Sequence, residues 1–143
     1  MPTGIAVREF THKLQQTAVG WLEWEAKKRG ITIKHALNGK EVRVGGRQLP
    51  VDVFSPSGGE GGKPIIFQCQ GCYWHGHPCK LNEGKTHNEK RDNPLNELFE
   101  ETQAVTKYLK SLGFEFIEMW ECEWRSERRK SPEIRQFLKD VFP

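Results

Sequence analysis

One stretch of the chain, residues 64–79 with the sequence PIIFQCQGCYWHGHPC, concentrates the side chains that could bind a metal ion. It opens with three apolar residues at 65–67, which predict a short buried strand, and then breaks into a turn rich in Gly, His and Cys. Cys72, His77 and Cys79 lie within eight residues of one another. Because thiolate and imidazole groups are the usual ligands of zinc, this turn predicts three ligands of one metal site.

A fourth ligand has to come from another part of the chain. Cys122, in the sequence WECEW at 120–124, is the obvious candidate. Three cysteines and one histidine fill all four positions of a closed structural zinc site. The C-x4-H-x-C spacing of the turn is not that of zinc fingers or zinc ribbons, so the spacing alone does not establish zinc.

Length and composition predict one soluble domain over residues 1–143, either complete or part of a longer protein. Hydrophobic residues make up 36% of the chain and charged residues 29%, and no apolar run reaches the roughly 18 residues that a membrane span needs. The absence of a secretory signal at the N-terminus predicts an intracellular protein, nuclear or cytoplasmic. Reduced thiolates on a metal are therefore favoured over disulfides for the four cysteines.

The apolar pattern predicts the element order helix, three or four strands, helix, strand, helix. The first half is predicted to hold a helix at 5–29, strands at 31–36, 41–44 and 49–54, a hairpin turn at 38–39 and a glycine-rich loop at 55–63. The second half is predicted to hold a loop at 80–93, a helix at 94–113, a strand at 114–120 and a helix at 132–141. This order predicts an α/β fold with a restriction-endonuclease-like core, in which helices flank a mixed central sheet.

Acidic residues near apolar segments are the candidates for a second metal. Asp52 lies within the apolar segment LPVDVF, where a carboxylate is costly to bury unless a partner such as a divalent cation neutralises it. A carboxylate that caps a turn at the end of a strand is the alternative interpretation. Glu23 and Glu25 lie near the end of the first helix, where solvated helix residues are the simpler interpretation.

Two family resemblances rest on the residues just described. The sequence GCYWHGHPC at 71–79, followed by WEC at 120–122, resembles the very-short-patch mismatch repair endonucleases. Over residues 17–125 the chain is similar to a nuclease-like domain of Polinton/Maverick mobile elements, found beside their family B DNA polymerases. That longer similarity rests on IKHALNGKE at 33–41, VD at 51–52, GCYWHG at 71–76 and MWECEW at 119–124.

The resemblance implies a role for each matching residue. It implies that a structural zinc ion is bound by Cys72, His77, Cys79 and Cys122. It also implies a catalytic Mg²⁺ or Mn²⁺ held by Asp52 and the main-chain carbonyl of Cys69, with His75 as the catalytic histidine. Tyr73 and Trp74 match aromatic residues that wedge into the base stack at a mismatch, and packing around the turn is the alternative for both.

Two departures from the family patterns bear on catalysis. Gln70 stands where the mismatch endonucleases have a second histidine, and Gln68 stands where many mobile-element relatives have a glutamate. An amide can bind a metal or orient water, but it cannot act as a base or bring negative charge to a metal. The resemblance also implies a first-helix acid, for which Glu23 and Glu25 both lie near the expected place.

Three functions are compatible with the sequence. The first is a metal-dependent DNA endonuclease that nicks one strand, and the second is a degenerate DNA-binding module in which Gln68 and Gln70 replace catalytic residues. The third is a zinc-stabilised protein-interaction domain. Either DNA function predicts phosphate contacts from basic residues: Lys80, Lys85, Lys90, Arg91, Arg125, Arg128 and Arg129. For the run that begins at Arg125, a solvated surface is the alternative. A family B polymerase in the same protein is a further predicted partner, and the oligomeric state is open.

Overall fold

A computed structural model describes residues 13–33, 42–47 and 49–143. Its α-helices are α1 (Lys13–Arg29), α2 (Leu95–Ser111), α3 (Glu121–Lys130) and α4 (Pro132–Val141). Its strands are β1 (Val42–Val44), β2 (Leu49–Val51), β3 (Val53–Ser55), β4 (Ile65–Gln70), β5 (His87–Asn88), β6 (Asn93–Pro94) and β7 (Glu115–Trp120). Within these described ranges, no helix is long and apolar enough to cross a bilayer.

The central sheet has the strand order β3-β4-β7. β3 runs antiparallel to β4, with Val53 opposite Phe67, and β7 runs parallel to β4, with Phe67 opposite Ile117. The connection from β4 to β7 passes through α2, as a parallel pair requires. The predicted mixed α/β architecture is therefore confirmed, whereas the restriction-endonuclease-like fold stays a prediction.

Alternation along β4 separates two buried layers. Phe67 packs with Trp21 of α1 and Trp124 of α3 on one face of the sheet. Ile66 packs on the other face with Leu109 of α2. All five side chains are at most 1% exposed, and burial of each such side chain contributes about 1.5–3 kcal/mol. These layers pack β4 on both faces. The polar residues of the candidate site lie at the C-terminal end of this strand and directly after it.

Several predicted elements differ in the structure. Residues 31–33 form no strand, and the predicted hairpin at 38–39 lies outside the described residues. The predicted strand at 49–54 is broken by a bend at Asp52, so that β2 pairs with β1 while β3 pairs with β4. The predicted loop at 80–93 holds most of a 3₁₀ helix, Pro78–Glu83, and a short pairing of β5 with β6.

Helix α3 is the main element that the sequence analysis missed. Its sequence ECEWRSERRK is almost entirely polar, and Trp124 is its buried residue. With so few apolar residues, no helical repeat is visible in the sequence. The helix matters to the site because it carries both Cys122 and the basic run.

Candidate metal centre and active site

The turn after β4 is held by its own backbone and by α2. The His75 amide donates to the Gly71 carbonyl at 2.9 Å, and the His77 amide donates to the Cys72 carbonyl at 2.8 Å. Gly76 has a φ of 67° and lies directly against the main chain of Leu95, where no Cβ atom could fit. The glycine therefore permits the turn to pack on the first residue of α2.

The four predicted zinc ligands converge at this turn. One ligand atom from each of Cys72, His77, Cys79 and Cys122 lies within 4.8 Å of the others, so the cluster could bind a metal such as zinc. Cys122 reaches the turn because β7 runs parallel to β4 and ends beside it. The Cys122 amide donates to Cys72 Sγ at 3.3 Å, and Cys122 Sγ lies 3.8 Å from His77 Nδ1.

Burial favours the neutral thiols of this cluster when no cation is bound. Burial raises the pKa of the Cys72 thiol above its usual range, and burial also raises the pKa of Cys79. Thiolates gathered in such a place need a positive charge, and a divalent ion supplies it. All four residues belong to the set that the sequence analysis assigned to zinc.

Asp52 lies beside β4 at the bend between β2 and β3. Its Oδ2 atom accepts a hydrogen bond from the Cys69 amide at 2.7 Å, and its own amide donates to Gln68 Oε1 at 3.0 Å. The carboxylate thus takes the place of a strand carbonyl next to β4, which explains why the ladder changes there. The acid is half-buried and touches the Cys69 main chain, although through the amide rather than the carbonyl.

The side chain of Cys69 faces the layer on the α1 side of the sheet and packs with the buried residues of that helix. Burial raises the pKa of its thiol, and the charges of Asp52 and Glu121 raise it further. This side chain is therefore not part of the metal-binding cluster, and a metal-binding role for the Cys69 main-chain carbonyl stays a prediction.

His75 lies on the α2 side of the sheet. Its Nδ1 atom is 3.0 Å from the Thr102 hydroxyl oxygen, which fixes the orientation of the ring. Burial, together with the nearby Arg91 guanidinium, lowers the pKa of His75 to about 4, so the ring is uncharged at neutral pH. His75, Gln68 and Gln70 line a cleft of about 280 Å³ between the end of β4 and α2.

Gln70 is buried at 3% exposure at the end of β4. Its Nε2 atom donates to Glu118 Oε2 at 3.0 Å, and the Thr106 hydroxyl donates to the same carboxylate oxygen at 3.4 Å. Gln70 Oε1 is buried and has no hydrogen-bond partner among the residues that the structure describes. The sequence analysis missed Glu118, for which the only signal was an acid within a largely apolar strand.

The two first-helix acids have different surroundings. Glu25 is only 4% exposed, and its carboxylate pairs with Lys28 at 2.9 Å and Arg29 at 3.0 Å, so its charge is balanced within α1. Glu23 is half-buried. Neither residue is among those that line the cleft beside His75.

The two aromatic residues of the turn are not equivalent. Trp74 is 43% exposed, lines the cleft, and has the Arg91 guanidinium 5.5 Å from its ring centre. Tyr73 is half-buried, and its hydroxyl accepts a hydrogen bond from the Glu89 amide at 3.0 Å. Trp74 is thus exposed at the cleft, whereas Tyr73 is held by the segment that follows the turn.

The predicted DNA-contacting cations fall into two groups. Near the turn, Lys80 and Lys85 both approach Glu83, Arg91 pairs with Glu101 at 3.4 Å, and Lys90 is exposed. On α3, Arg125 pairs with Glu121 at 3.1 Å, while Arg128 and Arg129 are exposed. Arg125 and Arg128 line a groove of about 730 Å³ between α1, α3 and α4, together with Arg135 and Lys139.

Comparison with known proteins gives a partial match. The type II nicking enzyme V.NmeAIP of Neisseria meningitidis serogroup A / serotype 4A (strain DSM 15465 / Z2491) is 26% identical over 82 residues. The match covers 55% of this chain and 56% of the relative, so the chain spans about half the length of the curated relative that it matches. No family model matches the chain, and no solved structure matches it. The chain is therefore similar to a nicking enzyme over about half its length.

Proposed function

We propose that this chain is a metal-dependent DNA endonuclease of the very-short-patch type, close to the nuclease-like domains of Polinton/Maverick elements, and that it nicks one strand. The observation that carries the proposal is that Asp52 binds the main chain of Cys69 near the end of β4, while the next residue, Gln70, lines a cleft together with His75. The similarity to a nicking enzyme supports the same chemistry.

The oxygen donors at this end of β4 fit a hard divalent cation. Asp52 offers a carboxylate and Gln70 offers a buried amide oxygen without a partner among the described residues, and both are ligands that Mg²⁺ and Mn²⁺ accept. When bound there, such an ion supplies charge stabilisation at the scissile phosphate and lowers the pKa of a bound water. Zinc is proposed for the separate cluster of Cys72, His77, Cys79 and Cys122, where it stabilises the turn.

The chain's own residues have distinct tasks in this proposal. Trp74 stacks on a base at the cleft, and exposed cations such as Lys90, Arg128 and Arg129 hold the phosphate backbone. His75 is fixed through Nδ1 by Thr102, which leaves Nε2 as the atom that exchanges a proton with water or the leaving oxygen. With one such site among the residues that the structure describes, the proposed product is a nick.

A nicking assay on supercoiled plasmid and on mismatched duplex, with Mg²⁺ or Mn²⁺, tests this function. We expect Asp52→Ala to abolish nicking and His75→Ala to reduce it by about 10²- to 10⁴-fold, the usual contribution of a general acid or base. Asp140→Ala, an exposed aspartate on α4, is the control and retains activity. Full activity in the Asp52 variant would rule out the proposed centre.

A degenerate DNA-binding module is the second candidate, and the two glutamines favour it. Gln68 Oε1 is engaged by the Asp52 amide and Gln70 Nε2 by Glu118, so neither position supplies a base. This candidate predicts that the unmodified chain binds DNA and cuts none in any divalent metal. If the chain neither bound nor cut DNA, the protein-interaction domain would be the remaining candidate. The family B polymerase partner and the intracellular location stay predictions.

A further inference from the structure

A second carboxylate lies on the other side of β4 from Asp52. In the parallel pairing of β4 with β7, Gln68 is opposite Glu118 and Gln70 is opposite Trp120. Partners in a sheet register place their side chains on the same face, and Phe116, two residues before Glu118, packs in the layer formed with α2. Glu118 therefore shares a face with the two glutamines, while Asp52 borders the opposite edge of β4.

Contacts orient Glu118 towards the candidate active site. Its Oε2 atom accepts hydrogen bonds from Gln70 Nε2 and from the Thr106 hydroxyl, and both of those residues line the cleft that contains His75. The bond to Nε2 also decides which way the Gln70 amide faces, because a carboxylate accepts only from the nitrogen. As a result, the buried Gln70 Oε1 atom is left as an acceptor with no partner in the described part of the chain.

An unpartnered buried amide oxygen costs free energy unless a ligand binds it. A bound cation would satisfy this oxygen, and a carboxylate that also holds the amide would lie close to the same ion. Asp52 alone supplies little charge for Mg²⁺, which prefers carboxylates together with phosphate oxygens and water. Gln68, the direct neighbour of Glu118 across the sheet, is neutral and adds no charge to the site.

We propose that Glu118 is the second carboxylate of the divalent-metal centre and supplies from β7 the charge that Gln68 on β4 lacks. Asp52 and Glu118 would hold the ion with their carboxylates, and Gln70 Oε1 would be a neutral oxygen ligand. This proposal rests on the proposed function for its catalytic consequence, but the binding of Mg²⁺ or Mn²⁺ is a property of the residues alone.

Manganese binding to the zinc-loaded chain, followed by electron paramagnetic resonance of free Mn²⁺, tests the proposal directly. We expect Glu118→Gln to weaken Mn²⁺ binding at least about tenfold, as loss of a metal-site contact commonly does. The zinc content and the melting temperature should stay unchanged, because glutamine can still accept from Gln70 and Thr106. Glu100→Gln, an exposed residue on α2, is the matched control with unchanged Mn²⁺ affinity.

A second variant separates a ligand from a structural residue. Gln68→Glu combined with Glu118→Gln returns a carboxylate to β4, and its oxygen can still accept from the Asp52 amide. If Glu118 acts through its charge at the ion, this double variant regains Mn²⁺ affinity and, in the plasmid assay, most of the nicking lost in Glu118→Gln. A purely structural role for Glu118 would leave Mn²⁺ affinity unchanged in the single variant, which would overturn the proposal.

The two readouts distinguish the failure of each proposal. Mn²⁺ binding that depends on both Asp52 and Glu118, without any nicking by the unmodified chain, would uphold this metal centre and contradict the endonuclease function. Nicking that survives in Glu118→Gln with undiminished Mn²⁺ affinity would contradict this metal centre and uphold the endonuclease function. An unmodified chain that binds no Mn²⁺ outside its zinc site would overturn the assignment of Glu118.

Discussion

Cys69 and Cys122 show how differently two cysteines of one chain are used. Cys69 occupies an inward position of β4 and packs in the apolar layer with α1, where burial keeps its thiol protonated. Cys122 lies in the first turn of α3, and its sulfur lies against His77 of the metal-binding cluster. The sequence named Cys122 as the candidate fourth ligand of the turn, whereas the main-chain role of Cys69 was predicted only through the family resemblance.

Replacing Cys122 with serine tests the zinc assignment. The zinc content should fall well below about one ion per chain, because a closed site needs four ligands. The free energy of unfolding should fall by more than about 2 kcal/mol, since loss of a metal belongs among the large single-residue effects. Metal analysis and thermal unfolding measure the two results.

Cys69→Ala is the matched control for this experiment. It removes a buried sulfur outside the metal-binding cluster, so stability should fall modestly while the zinc content is retained. Zinc lost from Cys69→Ala, or kept in full by Cys122→Ser, would contradict the assignment of the four ligands.

Residue types predicted the four candidate zinc ligands better than they predicted a role for Glu118. Cysteine and histidine within a short turn indicate a metal by their chemistry alone. Glu118 carries no such signal, because its relation to Gln70, 48 positions away in the sequence, depends on the register between β4 and β7. Local patterns cannot supply that register.

At the level of secondary structure, the apolar pattern predicted α2 and β7 well and failed near Asp52 and α3. Side-chain hydrogen bonds explain the first failure, since the Asp52 carboxylate binds the β4 backbone in place of a strand carbonyl. Composition explains the second, because α3 buries a single tryptophan and exposes a row of charges. In both places, tertiary contacts decide the local structure.

Gly76 joins the turn to α2, and substitution there should affect both elements. A Cβ atom at this position would overlap the Leu95 carbonyl, and its φ of 67° is unfavourable for other residues. We expect Gly76→Ala to lower the free energy of unfolding by more than the roughly 1–2 kcal/mol that left-handed backbone alone costs. Chemical denaturation measures this change.

Gly84→Ala is a control with the same backbone conformation and no steric contact. Gly84 has a φ of 78°, and nothing lies within 4 Å of the position its Cβ would occupy. This variant should show only the backbone cost. Equal losses of stability in the two glycine variants would show that the turn does not pack closely on α2.

Considered as a whole, the molecule has a small net charge of +3, but its cations are unevenly distributed. Arg125, Arg128, Arg135 and Lys139 all border the groove between α1, α3 and α4. A groove with this charge suits a phosphate backbone. Association that depends on it weakens as the salt concentration rises, because releasing the counterions of DNA into a more concentrated solution is less favourable. Net charge alone could not predict this, because the clustering arises from the packing of three helices.

Arg128→Ala should weaken DNA binding similarly for all sequences and reduce the slope of log affinity against log salt by about 1. Arg135 donates to the main-chain carbonyl of Arg128, so the fold should be unaffected by loss of the side chain. Fluorescence anisotropy over a salt series measures the slope. Lys63→Ala, at the opposite end of the central sheet, should leave the slope unchanged, and an unchanged slope in Arg128→Ala would exclude this groove as a DNA contact.

The metal-binding cluster also joins distant points of the polypeptide. Cys72 and Cys122 are 50 residues apart, and the segment between them contains β5, β6, α2 and β7. Closing a flexible loop of this length costs about 3.5 kcal/mol of chain entropy from its length-dependent part alone. An ion bound at both ends acts as a removable crosslink, which restricts the unfolded chain as a disulfide does but without an oxidant. The cohesion of this third of the molecule would then follow the supply of metal, as long as the three cysteines stay reduced.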